Sequence, residues 1–302
     1  MKKKVVIIGG PTASGKSSTA LTLAKRYPLE IVNFDSLQIY RYLDIGTAKP
    51  SAEQRSSVPH HLYDIRYPDE YFSVADYVTE ASRVVLEIYG RGKIPLFVGG
   101  TGLYMRSFLF GLDRIPSSPS IRNQLQKRLE REGLGDLYNE VQERDPLFAR
   151  AISPNDRSRI VRALEVMAIT GTTFSSLQKK WKEREKAFED LFIILSPERD
   201  VLYERINKRV EAMIAGGFVD EVKGLLDMGY SPGLRPMCSL GYRHIVAFLR
   251  GEEDLAVTVE TIKRETRQYA KRQLTWFKRE DGRWLKSSEE QKIGKLVKSF
   301  LI

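Results

Sequence analysis

Val5-Val6-Ile7-Ile8-Gly9-Gly10-Pro11-Thr12-Ala13-Ser14-Gly15-Lys16-Ser17 is the stretch that decides the fold. Lys4 to Ile8 has the length and β-branched character of a buried strand, and Lys16 to Arg26 carries helical spacing. Between them, Gly10 to Ser17 satisfies the P-loop pattern in the strand-then-helix context that its mechanism demands. The glycines let the backbone curl, so that successive N–H groups and the helix N-terminus face a polyphosphate. Lys16 adds a charge to that cradle, and the Ser17 hydroxyl is placed to reach a Mg²⁺ ion. The motif implies a polyphosphate ligand without saying which.

Working outward, Glu30 to Phe34 reads as a second strand, Val74 to Tyr89 as a helix and Ile94 to Val98 as a third strand. That order is βαβαβ, the pattern of a parallel sheet covered by helices. The fold class expected is therefore α/β: a P-loop NTPase-like parallel sheet with helices on both faces, plus an all-helical insertion domain. The three strands end in Gly9-Gly10, Asp35 and Gly99-Gly100-Thr101-Gly102, and strand ends of open α/β sheets share one ligand crevice.

Past Gly111, Ile115-Pro116-Ser117-Ser118-Pro119-Ser120 reads as a linker, and strand character is missing up to about Asp190. Ile121, Leu125 and Leu129 fall at helical spacing, as do Leu137 and Val141. A further helix is expected to open at Ser153-Pro154-Asn155-Asp156, with Ser153 as N-cap and Pro154 in the first turn, and to close at Gly171. Strand character returns at Phe192 to Leu195, before a long helix from about Arg199. The divisions expected are 1–114 for the first part of the core, 115–191 for the insertion and 192–302 for the return, which ends in a basic helical segment.

The formal net charge is +10 and the sequence pI about 9.5, which favours an acidic partner. Most of the excess is terminal: residues 263–302 hold 12 Lys and Arg against 5 Asp and Glu. The tail from Lys263 to Arg279 interleaves cations with Tyr269, Trp276 and Phe277, a composition suited to phosphates and unstacked bases, and equally to an amphipathic helix with a buried aromatic face. The single cysteine, Cys238, excludes an internal disulfide and leaves a Cys-rich zinc site without ligands. A reducing cytoplasm is expected. No segment approaches the roughly 20 apolar residues of a membrane span, and no membrane partner is expected.

Asp35 admits three local readings: Mg²⁺ ligand, general base or cap of the following turn. Gln38 could pair with an adenine edge. Arg205 and Arg209 share a helix face, which suits a phosphate clamp or an exposed ion-pair helix. His60-His61 is rejected as a metal site, because adjacent side chains diverge and no third ligand is evident.

Seven blocks together resemble the tRNA dimethylallyltransferase (tRNA isopentenyltransferase) family over nearly the whole chain. They are GPTASGKS from Gly10, DSLQIYRYLDIGTAKP from Asp35, PHHLYDI from Pro59, GGTGLY from Gly99, SPNDRSRIVRALEV from Ser153, SLGYRH from Ser239 and QYAKRQLTWFKR from Gln268. The resemblance implies transfer of a dimethylallyl group from dimethylallyl diphosphate to the exocyclic amine of an adenosine beside a tRNA anticodon. It implies Asp35 as general base and Thr101 and Arg209 at the reacting centre. The diphosphate would lie on Gly10, Pro11, Thr12, Ala13, Ser14, Gly15, Lys16 and Ser17, with Mg²⁺ at Ser17. The tRNA anticodon stem-loop would meet Asp35, Ser36, Leu37, Gln38, Thr101, Arg159, Arg162, Gly241, Tyr242, Arg243, Lys271, Arg272, Gln273 and Trp276. It further implies a bacterial-type enzyme, since eukaryotic relatives carry a C-terminal zinc finger, and a monomer is expected. Two alternatives stand beside it: a small-molecule or nucleotide kinase on the same P-loop, and an RNA-binding P-loop protein without chemistry.

Overall fold

The computed structural model describes residues 2–113, 115–177 and 184–302; Arg114, the expected end of the first core segment, lies outside them. In chain order the first part of the core holds β1 (Lys4–Gly9), α1 (Lys16–Arg26), β2 (Leu29–Asn33), α2 (Ala52–Ser57), β3 (His60–His61), α3 (Val74–Gly90), β4 (Ile94–Val98) and α4 (Gly102–Phe110). Then come α5 (Pro119–Glu132), α6 (Leu134–Arg144), α7 (Pro146–Ala149), α8 (Arg157–Thr170) and α9 (Phe174–Leu177). The return holds β5 (Glu189–Leu195), α10 (Arg199–Ala215), α11 (Phe218–Asp227), α12 (Tyr242–Leu249), α13 (Leu255–Phe277), β6 (Arg283–Leu285) and α14 (Glu290–Leu301).

The six strands form one parallel sheet in the order β3-β2-β4-β1-β5-β6. Alternation along β1 sorts its side chains between two layers. Val6 and Ile8 join Ala20 and Leu23 of α1 and Ile293 and Val297 of α14 in one core. On the other face Phe97 of β4 packs against Phe108 of α4, and Phe192 of β5 meets Phe277 of α13. The buried Tyr77 of α3 donates its hydroxyl to Asn33 O at 3.1 Å, so α3 covers that same side.

Two compact units result, one of residues 1–109 with 186–302, the other of residues 110–185. The second unit thus runs from Phe110 to Glu185 and not over 115–191, because Glu189 and Asp190 pair with Lys4 and Val5 as the first rungs of β5. Within it, Leu137, Val141, Ile160, Leu164 and Met167 make a separate apolar core. Helix α8 begins later than expected. Asp156 is its N-cap, accepting from Arg159 N–H at 3.1 Å, and Ser153 instead receives Asn155 N–H in the preceding turn. Gly171 closes the helix in the left-handed region, as expected.

Three residues of α13 press on glycines at or just beyond the ends of β1 and β4. A Cβ on Gly9 would stand 2.7 Å from the Phe277 ring, one on Gly100 2.2 Å from the Gln273 amide, and one on Gly102 2.3 Å from the Trp276 indole. Gly102→Ala should therefore cost about 1–3 kcal/mol through overpacking, despite the better helix propensity of alanine, and Trp276→Leu in the same chain should recover part of the loss. Urea unfolding of both variants and their combination tests this; an unchanged midpoint for Gly102→Ala would refute the close contact.

Candidate active site

The P-loop curls through backbone conformations that its residues were selected to allow. Gly10 has φ 141° and its Cβ would lie 2.4 Å from Leu195 O, while Ala13 (φ 60°) and Gly15 (φ 94°) are both left-handed. Lys16 donates to Pro11 O at 2.6 Å across the loop. The buried Ser14 hydroxyl has no hydrogen-bond partner among the described residues, a costly state for a polar group. Residues 13–18 share one crevice with Arg205 and Arg209, so the two arginines four apart on α10 do face the P-loop.

Arg209 also lines a second, larger cleft of about 410 Å³, in the size range of small-molecule sites. Asp35, Ser36 and Leu37 enter it from the end of β2, and Ile206, Val210 and Met213 of α10 and Ile262 of α13 supply an apolar side. Tyr40, Phe72, Tyr104 and Tyr269 supply aromatic faces. Tyr104 is backed by Tyr77, stacked at 4.2 Å between ring centroids. Asp35 is the only carboxylate among the lining residues, against Arg209, Arg235, Arg243 and Arg272.

Asp35 is held by its neighbours. Its N–H donates to Asn33 Oδ1 at 2.8 Å, and its Oδ1 accepts from Leu37 N–H at 2.9 Å, while Oδ2 has no donor among the described residues. Ser36 N–H donates to Thr101 Oγ1 at 3.0 Å, so the hydroxyl expected at the reacting centre ties the β4 turn to the Asp35 segment. Lys16, Arg209 and Asp35 influence one another across the wall between crevice and cleft. Burial, then the nearby Arg209 charge, pull the Lys16 ammonium down to about 7, against the opposing attraction of Asp35. Burial likewise lowers Arg209, and Asp35 opposes that.

Other residues expected at the site divide. Lys271 and Arg272 are exposed on α13, Gly241 and Arg243 line the cleft, and Arg243 pairs with Glu265. Tyr242 and Gln273, expected to face RNA, are instead interior. Tyr242 is fully buried with its hydroxyl on Glu221, and Gln273 accepts from Thr12 N–H at 2.9 Å while donating to Gly100 O at 3.2 Å. Trp276 lies on Gly102 under the Arg106 guanidinium, 4.6 Å from the ring centroid. The Gln38 amide nitrogen donates to Thr47 O and Ala48 O at 2.9 and 3.3 Å, so it braces a loop. In the second unit Arg159 is exposed beside Asp156, but Arg162 holds the buried Glu165 and the carbonyls of Ile115 and Pro116. His60 Nδ1 lies 2.8 Å from Val58 O, and His61 Nε2 lies 2.7 Å from Glu30 Oε2. Arg235, Tyr40 and Tyr104 were missed: Tyr40 and Tyr104 lie within the DSLQIYRYLDIGTAKP and GGTGLY blocks without being singled out, and Arg235 lies in none of the seven blocks.

The IPP transferase family model matches residues 38–280, and the isopentenyl transferase model residues 3–65. The chain belongs to the IPP transferase family. It is 47% identical over 302 residues to a tRNA dimethylallyltransferase of Syntrophus aciditrophicus, covering 99% of this chain and 97% of that one. Among solved structures, the full-length tRNA isopentenylpyrophosphate transferase of Bacillus halodurans matches with a TM-score of 0.73 at 38% identity, covering 100% of this chain and 97% of that one. A eukaryotic dimethylallyltransferase acting on tRNA matches with a TM-score of 0.75 at 31% identity, over 91% of this chain and 70% of that one. Among the described residues no helix is long and apolar enough to cross a membrane.

The Lys16 ammonium gives the family's P-loop a pH signature in this chain. A bound diphosphate raises the Lys16 value, so binding above about pH 7 draws in a proton and affinity must fall as pH rises from there. The second ionisation of a phosphate ester, about 6, lies below that window. Titration of a prenyl diphosphate from about pH 7 to pH 9 should weaken binding up to tenfold per unit, and Lys16→Arg, charged throughout, should flatten the dependence. An equal slope in both proteins would remove Lys16 from the phosphate site.

Proposed function

We propose that this chain transfers a dimethylallyl group from dimethylallyl diphosphate to the N6 amine of the adenosine on the 3′ side of a tRNA anticodon, releasing diphosphate. The observation that carries this reading is Arg209, which lines both the P-loop crevice and the aromatic cleft that contains Asp35. A diphosphate on the P-loop thereby meets a base in the cleft at one shared wall. Relatives whose names state this activity match nearly the full length of the chain.

An adenine amine is a weak nucleophile because its lone pair is delocalised into the ring. As the N6–carbon bond forms and the allylic carbon–oxygen bond breaks, the bonding pair leaves with the diphosphate and the amine proton passes to Asp35. The unpaired Oδ2 suits that acceptance, and the Leu37 N–H on Oδ1 fixes the carboxylate. Lys16, Arg209 and the loop N–H groups stabilise the charge that gathers on the leaving group. The Ser14 hydroxyl, buried and without a protein partner, fits a loop that adjusts around an anion. Ile206, Val210 and Met213 form an apolar wall for the five-carbon chain. The adenosine must leave its stack to enter, and Tyr40, Phe72, Tyr104 and Tyr269 offer faces in exchange. Thr101 supports the reaction by securing Ser36 beside Asp35.

Mg²⁺ fits as an ion shared with the substrate. No group of three or more His, Cys, Asp or Glu among the described residues is arranged to hold a metal, whereas Ser17 is exposed in the first turn of α1 at the crevice. A Mg²⁺ ion bound mainly by phosphate oxygens and water needs only such a contact, and it would supply charge neutralisation to the diphosphate. Exposed Lys271 and Arg272 present charge to the tRNA backbone, with Arg159 among the exposed cations of the second unit. The protein is proposed to act in the cytoplasm as a monomer.

Incubation with labelled dimethylallyl diphosphate, tRNA and ATP, singly and together, tests the reading. Diphosphate should appear in step with prenylated tRNA and without ATP. Rapid ATP turnover with no transfer would establish the kinase alternative, and tRNA binding without transfer the non-catalytic one. Asp35→Asn keeps the shape but removes the basic oxygen, and single-turnover transfer should fall about 10²- to 10⁴-fold with both substrates still bound. Recovery of the rate by raised Mg²⁺ would make Asp35 a metal ligand instead.

A further inference from the structure

Glu221 of α11 carries a concentration of hydrogen bonds that the transfer chemistry does not use. Its Oε2 accepts from Asp44 N–H at 2.9 Å and Ile45 N–H at 2.6 Å, and its Oε1 accepts from Gly46 N–H at 3.1 Å and the Tyr242 hydroxyl at 2.6 Å. Three consecutive amides thus point at one carboxylate, much as they would at a bound anion. Its surroundings hold the arrangement in place. Phe218 and Tyr242, both buried, meet edge to face at 5.0 Å, and a Cβ on Gly46 would lie 2.2 Å from the first ring and 2.6 Å from the second.

The pinned loop is a wall of the cleft. Gly46 and Thr47 line it together with the α10 residues, and the carbonyls of Thr47 and Ala48 receive the Gln38 amide, three residues beyond Asp35. Lys49, its side chain almost wholly buried, closes the other end through Tyr40 O at 2.8 Å and an ion pair to Asp64 at 2.6 Å. A continuous path of hydrogen bonds therefore runs from Glu221 through the 44–48 backbone and Gln38 to the segment that carries the base. None of it touches the P-loop crevice.

We propose that Glu221 is a positioning residue for the transfer: it clamps the 44–46 backbone as the wall against which the nucleobase is placed and keeps the Asp35 segment aligned with it. This rests on the function proposed above. Displacement of a reacting group by about 1 Å costs on the order of 10²-fold in rate, which sets the scale of the effect.

Glu221→Gln preserves the volume but replaces one acceptor oxygen by a donor, so part of the amide cluster loses its partner. The steady-state kcat for prenyl transfer to tRNA should fall about 10- to 100-fold and the KM for tRNA should rise, while the KM and the direct binding of dimethylallyl diphosphate stay unchanged. Tyr242→Phe, which removes one of the four donors, should shift the same constants the same way by a few-fold. Amide hydrogen exchange at Asp44, Ile45 and Gly46, which needs no activity, should quicken in Glu221→Gln. A role in stability alone predicts a different pattern, in which kcat and diphosphate-binding stoichiometry fall together as the folded fraction shrinks; that result would overturn the proposal. So would wild-type kcat in both variants, or in Tyr242→Phe with quickened exchange if Glu221→Gln does not fold. Absence of transfer by the unaltered protein would refute the underlying functional reading.

Discussion

Helix α13 lies so close to the turns after β1 and β4 that only hydrogen fits at three positions of the opposing backbone. Phe277 faces Gly9, Gln273 faces Gly100 and Trp276 faces Gly102. Gln273, Trp276 and Phe277 stand at helical spacings of three and four, so they form one stripe on one face. The buried Gln273 amide satisfies a P-loop N–H and the carbonyl of Gly100 together, a bridge between two strand ends that no apolar side chain could replace without leaving both groups unpaired. Tyr269, four residues before Gln273 and so on the same face, lines the cleft together with Arg272. One helix thereby sets the geometry of the P-loop and furnishes part of the aromatic cleft.

Charge in the site is arranged with a single negative member. Burial depresses the proton affinity of both Lys16 and Arg209, the Arg209 charge depresses Lys16 further, and Asp35 opposes the shift in each. Such a cluster is electrostatically unfavourable by itself and complementary to a dianion, which is how a cleft lined by one sign of charge draws an anionic ligand. Arg243 differs from its neighbours because Glu265 compensates it at the surface. Elsewhere many cations are matched in ion pairs, such as Arg122 and Arg162 with the buried Glu165 inside the second unit.

What could be read in the sequence was what local physics determines. The bounds of α1 and β4 agree residue for residue with the expected ones, because a P-loop and a short apolar run between turns each have sharp ends. β3 and β6, with two and three residues, are too short to show any period and exist only through pairing with β2 and β5. The start of α8 shifted because Asp156 competes with Ser153 as a cap, and propensity alone does not rank them. Asp35, Lys16 and Arg209 were identifiable by motif or resemblance and are mutually close. Tyr242 and Gln273 were assigned outward since polar side chains in a basic motif look like contacts; their burial is a tertiary fact. Glu221 was invisible for the converse reason, a glutamate in the first turn of an amphipathic helix being ordinarily a solvated residue favoured by the dipole.

The chain leaves the core after Leu109 and is rejoined to it by a backbone hydrogen bond from Ala187 N–H to Leu109 O at 2.8 Å. To the parallel sheet, everything between those residues is a single closed loop with adjoining ends. The entropy of closing such a loop grows only logarithmically, by about 0.6 kcal/mol for each doubling of length. The excursion can therefore gain or lose whole turns of helix with little penalty to the sheet that anchors it. A grafted domain with closely spaced termini should be tolerated at the same junction.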